Sequence, residues 1–426
     1  MIVRRSFQTA APVALLCRIA LATLAICLPA RHAAAQTDDF SNVLSQALNQ
    51  GTASLEIRPR YESVAQSGKQ TADAFTVRSM LGYTTGSIDG LSVSVQMIDV
   101  AHAGDAYNSL RNGQGKYAVL PDPGGANINQ ALIRYTGLPH TTIAVGRQII
   151  IHDDARFVGN VDFRQTMQTF DAATVENSSL PYTTIKASYI WGIKNILNEY
   201  IPSRSYLAEG SVTRLSFMKV DGFGYWYGNQ ASSAIPGTVV CALPGVRACN
   251  SATYGVRVSG AVPLPARFKL SYEGTFASQH PYDGGSTQID ADYWHAGAKL
   301  SYAPFAVAVD DMVMGSNAHG TYGFQTPLAT RHAFNGWAEV FLNTPAKGLD
   351  SKYITLAATP GKLALQAAYY DFRSDYQNHP YGHEWDLSAG YPITSYLKAT
   401  VQYADYSAEG FGVNTKAGWA FLTLDI

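Results

Sequence analysis

Ala53-Ser54-Leu55-Glu56-Ile57-Arg58-Pro59-Arg60-Tyr61-Glu62 alternates apolar and polar side chains. A strand has a side-chain period of two, so Ala53, Leu55, Ile57 and Tyr61 share one face. Ser54, Glu56, Arg58, Arg60 and Glu62 share the other. Segments of this kind, about ten residues long and closed by turn residues, recur to the last residue. In 73–86, Phe75, Val77, Leu81 and Tyr83 oppose Thr76, Arg78, Gly82 and Thr84. In 251–262, Tyr254, Val256 and Val258 oppose Arg257 and Ser259, and in 382–391, Trp385, Leu387, Ala389 and Tyr391 oppose Glu384, Asp386 and Ser388. In 266–277, Phe268, Leu270, Tyr272 and Phe276 oppose Arg267, Lys269, Ser271 and Glu273.

A soluble sandwich would turn the polar face outward. Here the apolar faces carry aromatics at segment ends and a secretion signal stands in front, which points to an all-β transmembrane antiparallel barrel with lipid outside and a water-filled lumen inside. An Arg or Lys on the lipid face would cost about 2–4 kcal/mol at the midplane, so the charges belong to the lumen. The aromatics, among them Tyr83, Tyr254, Tyr272, Trp294, Tyr302, Trp385 and Tyr391, read as interfacial girdles.

The 426 residues carry a formal net charge of -1, with 15% charged and 12% aromatic residues. Mean hydropathy is -0.06. A helical membrane protein would need apolar runs of about 20 residues, and these are missing. Alternation averages out, so a barrel remains allowed. Near-neutral charge gives no reason to expect nucleic acid as a partner.

The pattern predicts about eighteen strands between residues 53 and 426. Their connections alternate in length. Short ones include Ser87-Ile88-Asp89-Gly90, Leu138-Pro139-His140, Ser179-Leu180-Pro181, Pro263-Leu264-Pro265, Ala303-Pro304 and Pro360-Gly361. Long ones fall at 102–126, 151–167, 193–208, 231–250, 278–290 and 315–349. Bacterial barrels pair short periplasmic turns with long extracellular loops, and an even strand count leaves both termini inside. Residues 333–343 are therefore placed within the long 315–349 loop, as a short helix, rather than as a nineteenth strand. A loop of that length in a barrel is usually functional, folding into the lumen or capping it.

Arg4, Arg5 and Arg18, the apolar run Ile19 to Leu28, Pro29 and Ala33-Ala34-Ala35 read as a signal peptide over 1–35, cleaved before Gln36. Residues 36–52 form a short periplasmic segment and 53–426 the barrel. The destination is the outer membrane of a Gram-negative bacterium. Cys17 and Cys27 leave with the signal. Cys241 and Cys249 are expected to form a local disulfide in that oxidising compartment, since no nearby His supports a metal site.

Residues 146–171 read Gly-Arg-Gln-Ile-Ile-Ile-His-Asp-Asp-Ala-Arg-Phe-Val-Gly-Asn-Val-Asp-Phe-Arg-Gln-Thr-Met-Gln-Thr-Phe-Asp. This stretch resembles the hallmark of the alginate export family of outer-membrane porins. Arg58-Pro59-Arg60-Tyr61-Glu62 and Gly336-Trp337-Ala338-Glu339 through Thr344-Pro345 to Gly348-Leu349-Asp350 extend the likeness. Phe163 departs from it, standing where the family commonly has Trp. The resemblance implies an eighteen-strand pore exporting a polyuronate through an arginine-rich constriction, with periplasmic export machinery as a partner.

The residues expected to line that pore are Arg58, Arg60, Arg78, Arg134, Lys186, Arg257, Arg267, Lys269 and Lys299, with Arg147, Arg156 and Arg164 at the 151–167 loop. Lumen-facing anions are fewer: Glu56, Glu62, Glu273, Glu384 and Asp386. A positive lining between low-dielectric walls favours carboxylates, and arginine binds them through paired hydrogen bonds. The bland reading is that these charges pair with one another. Arg147 shares the parity of lipid-facing Ile143 and Val145, which sets it at the membrane rim or on a bulge. Trp226, Trp337 and Tyr381 are candidates for stacking on sugars.

No Gly-x-Ser-x-Gly, His-Glu-x-x-His, phosphate loop or Ca²⁺ loop is present, so neither an enzyme nor a cofactor or metal site is expected. The main reading is a channel for anionic or polar solutes, including uronate polymers, with membrane lipid around it. The rivals are a small-solute uptake porin and a plugged barrel acting as a surface receptor or adhesin.

Overall fold

The computed structural model describes residues 37–238, 241 and 243–426, so the signal peptide expected over 1–35 lies outside the described residues. Two units separate, Met1–Asn49 and Gln50–Ile426. In the first, Thr37–Asn49 forms a helix, α1. No helix among the described residues is long and apolar enough to cross a membrane.

The second unit holds eighteen strands: β1 Thr52–Gln66, β2 Ala72–Thr84, β3 Leu91–Ala103, β4 Gly125–Leu138, β5 Thr141–Gln148, β6 Thr169–Asn177, β7 Thr183–Lys194, β8 Tyr200–Leu215 and β9 Met218–Tyr227, followed by β10 Ser251–Pro263, β11 Lys269–Pro281, β12 Ala291–Tyr302, β13 Phe305–Met314, β14 Leu349–Ala358, β15 Ala364–Arg373, β16 Pro380–Pro392, β17 Leu397–Ala408 and β18 Thr415–Asp425. Each pairs antiparallel with its sequence neighbours, and β1 closes on β18 through Glu56↔Asp425 and Tyr61↔Ala420. Closure leaves no sheet edge, which is what lets a sheet sit in hydrocarbon. Pro59 has no N–H to give, and the β1–β18 ladder skips Arg58 and Pro59.

The alternation sorts as the period requires. Leu81, Met97, Ile133, Val145, Leu356 and Val401 are exposed on the outer wall, while Arg60, Arg78, Glu384, Asp386 and Trp419 on the opposite parity are buried within the barrel. An outer band this apolar belongs in the outer membrane. Outer-wall charges gather toward the long-loop rim, where Asp311 and Lys352 pair at 3.3 Å and Lys416 and Asp405 at 3.0 Å.

Several expectations need correction. The connection predicted at 193–208 is five residues, 195–199, and β8 begins at Tyr200. The Asn195 side chain closes this turn by accepting the Leu197 and Glu199 N–H groups at 2.9 and 3.0 Å. Arg267 stands in a short 3₁₀ turn, Pro265–Arg267, rather than on a strand. Residues 333–343 form neither helix nor strand, and the chain from 315 to 348 is a run of turns folded into the barrel. Val158 bridges Leu328, tying this loop to the one between β5 and β6. Trp337 and Tyr381 are buried in the resulting core, out of reach of any sugar. Trp226 faces outward and donates its indole N–H to the Tyr254 hydroxyl at 2.9 Å.

Candidate lumen constriction

Period-two spacing on β1 puts Arg58, Arg60 and Glu62 in one inward column, and Arg78 lies directly across from Arg58 on β2. Three cations this close require anions or carbonyls around them. The loop between β5 and β6 supplies both. Arg58 donates to the carbonyl of Asp162 at 3.0 Å and of Arg164 at 2.7 Å, and to Gln165 Oε1 at 3.0 Å. Arg60 donates to the Phe163 carbonyl at 2.6 Å and pairs with Glu62 at 2.8 Å and with Asp122. Arg78 bridges Asp162 at 2.7 Å and Glu56, also at 2.7 Å. Gln165 completes the clamp, donating to Thr76 Oγ1 at 2.8 Å while its own N–H meets Asp122 Oδ1 at 2.7 Å.

Arg164 ties this clamp to the remaining loops. It pairs with Glu62 at 3.2 Å on the wall, with Asp122 at 3.5 Å on the β3–β4 loop, and with Glu339 on the β13–β14 loop. Phe163 stacks on His332 with centroids 3.4 Å apart, and His332 Nδ1 meets Glu339 Oε1 at 3.0 Å. On β16, Asp386 and Glu384 accept the Trp337 and Ala338 N–H groups at 3.2 and 2.7 Å. Gly336, at φ 81°, makes the turn that aims those amides. A side chain there would run into the Glu384 carboxylate.

This lock has a defined pH window. Burial works to raise the Glu339 carboxyl, but Arg164 and then His332 outweigh it and hold it down to about 2. Asp162 is lowered in the same way, burial being overcome by Arg78 and Arg58. A group depressed in the folded state stabilises above its unfolded value and loses that contribution as pH falls through the folded one. Protection of the 328–344 amides from hydrogen exchange, corrected for intrinsic rate, is therefore expected to hold from pH 8 to about 4.5 and to fall between about 4.5 and 2. Protection already lost at pH 6, or unchanged at pH 2, would contradict this lock.

The other expected lining residues scatter. Arg156 is buried against the faces of Tyr293 and Phe334, 5.5 and 5.1 Å from the ring centroids. Its Nε and Nη1 have no hydrogen-bond partner, and among the described residues no carboxylate lies within ion-pair distance. Arg257 joins Glu273 at 2.6 Å and Asp154 at 3.1 Å. Lys186 reaches Glu209 at 3.9 Å from a third-exposed position. Arg134, Lys269 and Lys299 point inward near the short-turn end and stay exposed. Arg147 is on the outer wall, where β5–β6 register sets it beside Asp171, and Nε meets Oδ1 at 2.7 Å. Arg267 lies in a short turn, outside the lumen wall. Cys241 and Cys249 are bonded within the β9–β10 loop, far from these contacts in the chain.

The lumen is thus wide at the short-turn end and packed beyond it. A cavity of about 500 Å³ opens along β10–β14, lined by Ser259, Glu273, Lys299, Asp310 and Tyr353. A separate small void lies among Asp154, Arg156, Phe157, Arg257 and His295, with about 10 Å³ free, room for one water. An apolar hollow of about 770 Å³ is formed by outer-wall residues such as Phe268, Leu356 and Leu387, on the face turned to the membrane.

Sequence reasoning missed Asp122, Gln165, His332 and Glu339, because their partners are dozens to hundreds of residues away. It also passed over His295, and it weighed Asp310 only with Asp311, as an acidic pair that could bind a cation between loops but usually sits in solvent. Strand parity could have found these, since alternation turns Asp310 inward and Asp311 out.

No family model matches the chain, and no curated protein matches it. The likeness to the alginate export family therefore gains no support. Solved outer-membrane structures do match. OccK3 (OpdO) of Pseudomonas aeruginosa aligns with a TM-score of 0.65 at 14% identity, over 91% of this chain and 98% of that one. OpdK of the same species, solved with vanillate, gives 0.66 at 11% over 89% and 99%. OccAB2 of Acinetobacter baumannii gives 0.67 at 13% over 89% and 99%. At these identities the match establishes the eighteen-strand porin fold.

Proposed function

We propose that this porin-fold barrel is a passive channel for small anionic or polar solutes, serving uptake rather than export of a polymer, and that it performs no chemistry. The observation that carries the reading is the packed constriction. Loops 149–168 and 315–348 fold into the barrel and meet where Val158 bridges Leu328, and the small void beside Arg156, an arginine without a carboxylate partner, leaves about 10 Å³ free. A polyuronate chain needs a continuous bore, whereas a small solute needs only a modest shift of the 151–157 stretch. The exposed cations Arg134, Lys269 and Lys299 raise the anion concentration in the vestibule below. That OpdK was solved with vanillate, a small carboxylate, supports the same size class.

Planar-bilayer recording under a KCl gradient tests this. The expected result is small, anion-selective conductance, reduced by millimolar vanillate or a similar carboxylate and indifferent to polyuronate. Block by polyuronate alone would return the export reading. No conductance would favour a plugged barrel acting as a surface receptor.

A further inference from the structure

We infer that the lumen wall carries a binding site for a divalent transition-metal ion, formed by Glu273, His295 and Asp310 on the adjacent strands β11, β12 and β13. One ring nitrogen and one oxygen from each carboxylate lie within 4.8 Å of one another. His295 Nε2 is 3.1 Å from Asp310 Oδ1, and Nδ1 is 3.7 Å from Glu273 Oε1. Metal–ligand distances of about 2.0–2.2 Å place ligand atoms roughly 3–4 Å apart, so rotations of the side chains close the shell without moving the backbone. One imidazole with two carboxylates suits zinc or a neighbouring divalent metal rather than Ca²⁺, which takes oxygen ligands.

Three features mark this cluster as a built site. The first is space. Gly297 faces Asp310 across the β12–β13 register, and a Cβ there would overlap Asp310 Oδ1 and crowd His295 Nε2 at 3.3 Å. A side chain there would push the Asp310 carboxylate away from its place beside His295. The second is charge. Arg257 is shared between Glu273 and Asp154, so the three carboxylates Glu273, Asp310 and Asp154 face one guanidinium, a surplus of negative charge that suits a divalent ion. Lys299 lines the same cavity, yet it makes no ion pair with any of the three among the described residues. The third is access. Glu273 and Asp310 open onto the 500 Å³ cavity, which supplies water for the remaining coordination positions. Arg257, holding the second Glu273 oxygen at 2.6 Å, is the outer-shell partner that orients it.

The neighbouring carboxylate group Asp153, Glu209 and Asp221 shows the contrast. Lys219 already lies 2.7 Å from Asp153 and 2.8 Å from Asp221, and His152 lies 2.9 Å from Glu209. Lys186 also reaches Glu209 at 3.9 Å, so two lysines face its three carboxylates.

The inference does not depend on the transport reading, because it is tested by binding to the folded, tag-free barrel in metal-free detergent. Calorimetric titration with Zn²⁺ is expected to show one saturable site per chain, and Co²⁺ is expected to give the visible absorption of a low-coordinate nitrogen–oxygen site. His295→Ala and Asp310→Asn are expected to weaken binding by at least about tenfold. Gly297→Ala is expected to do the same with every ligand retained. Heat-modifiable migration on gels reports that each variant is folded. Absence of a saturable one-to-one site, or a site that survives His295→Ala in a folded barrel, would overturn the assignment.

Discussion

Arg164→Met is expected to destabilise the barrel by about 3–5 kcal/mol and to raise its conductance several-fold. The side chain is almost wholly buried and faces three carboxylates, Glu62, Asp122 and Glu339, from the wall and two loops. Deleting a buried cation from such a cluster costs far more than the pair contributes, because the anions left behind have lost their water. Arg60 remains against Glu62 and Asp122, but Glu339 keeps only His332. Burial lowers the His332 ring, and its Nδ1 meets Glu339 Oε1 at 3.0 Å as the one contact left to that carboxylate. The β13–β14 loop is then the piece that lets go. A drop in thermal midpoint, single-channel currents larger than the parent's and new protease cleavage within 315–348 are the measurements. Arg134→Met, at an exposed position, serves as the comparison and is expected to change stability by under about 0.5 kcal/mol. Unaltered conductance and midpoint in Arg164→Met would refute the network's role in holding the plug.

Arg156→Met is expected to do the reverse, leaving the fold intact and changing what passes. This guanidinium is buried without a carboxylate partner beside the small void at Asp154 and His295, held by Tyr293, Phe334 and a contact from Nη2 to Met314 Sδ at 2.8 Å. A charge about 8 Å from a passing ion in a medium of intermediate dielectric is worth about 1–2 kcal/mol after screening. Its removal should cut the anion-to-cation permeability ratio roughly tenfold. Methionine fills similar space against the same rings, and loss of about 1 kcal/mol of cation–ring attraction is offset by removing unpaired buried donors. Reversal potentials under a salt gradient decide the matter. A ratio equal to the parent's would show that Arg156 serves packing alone, and a collapsed barrel would show that its role is structural.

The two arginines stand eight residues apart in one loop and carry opposite expectations, and nothing in the local sequence separates them. Both sit in 146–171, and both were expected to line the pore. What differs is the company each finds. Arg164 meets Glu62, a hundred positions earlier, and Glu339, far later. Arg156 meets two aromatic rings. The same holds on the wall, where Arg58, Arg60 and Arg78 point inward as their parity requires but hold loop carbonyls rather than solute.

The strands, their outward and inward faces, their even number and most of the alternation of short and long connections were legible in the chain, the five-residue turn at 195–199 and the turn holding Arg267 excepted. Each follows from a two-residue period and from turn residues read a few positions at a time. Arg147 was expected to line the pore, with its parity to Val145 leaving the rim or a bulge open, and the barrel places it on the outer wall beside Asp171. The route of the long loops was not legible. Their irregular backbone has no period, and their resting place is decided by ion pairs between residues separated by a hundred or more positions. The eighteen-strand wall is thus a property of the sequence taken locally. The constriction, the exposed vestibule cations and the meeting of Glu273, His295 and Asp310 exist only once the barrel closes, because barrel closure and loop docking bring distant charges within a few ångströms where water no longer screens them.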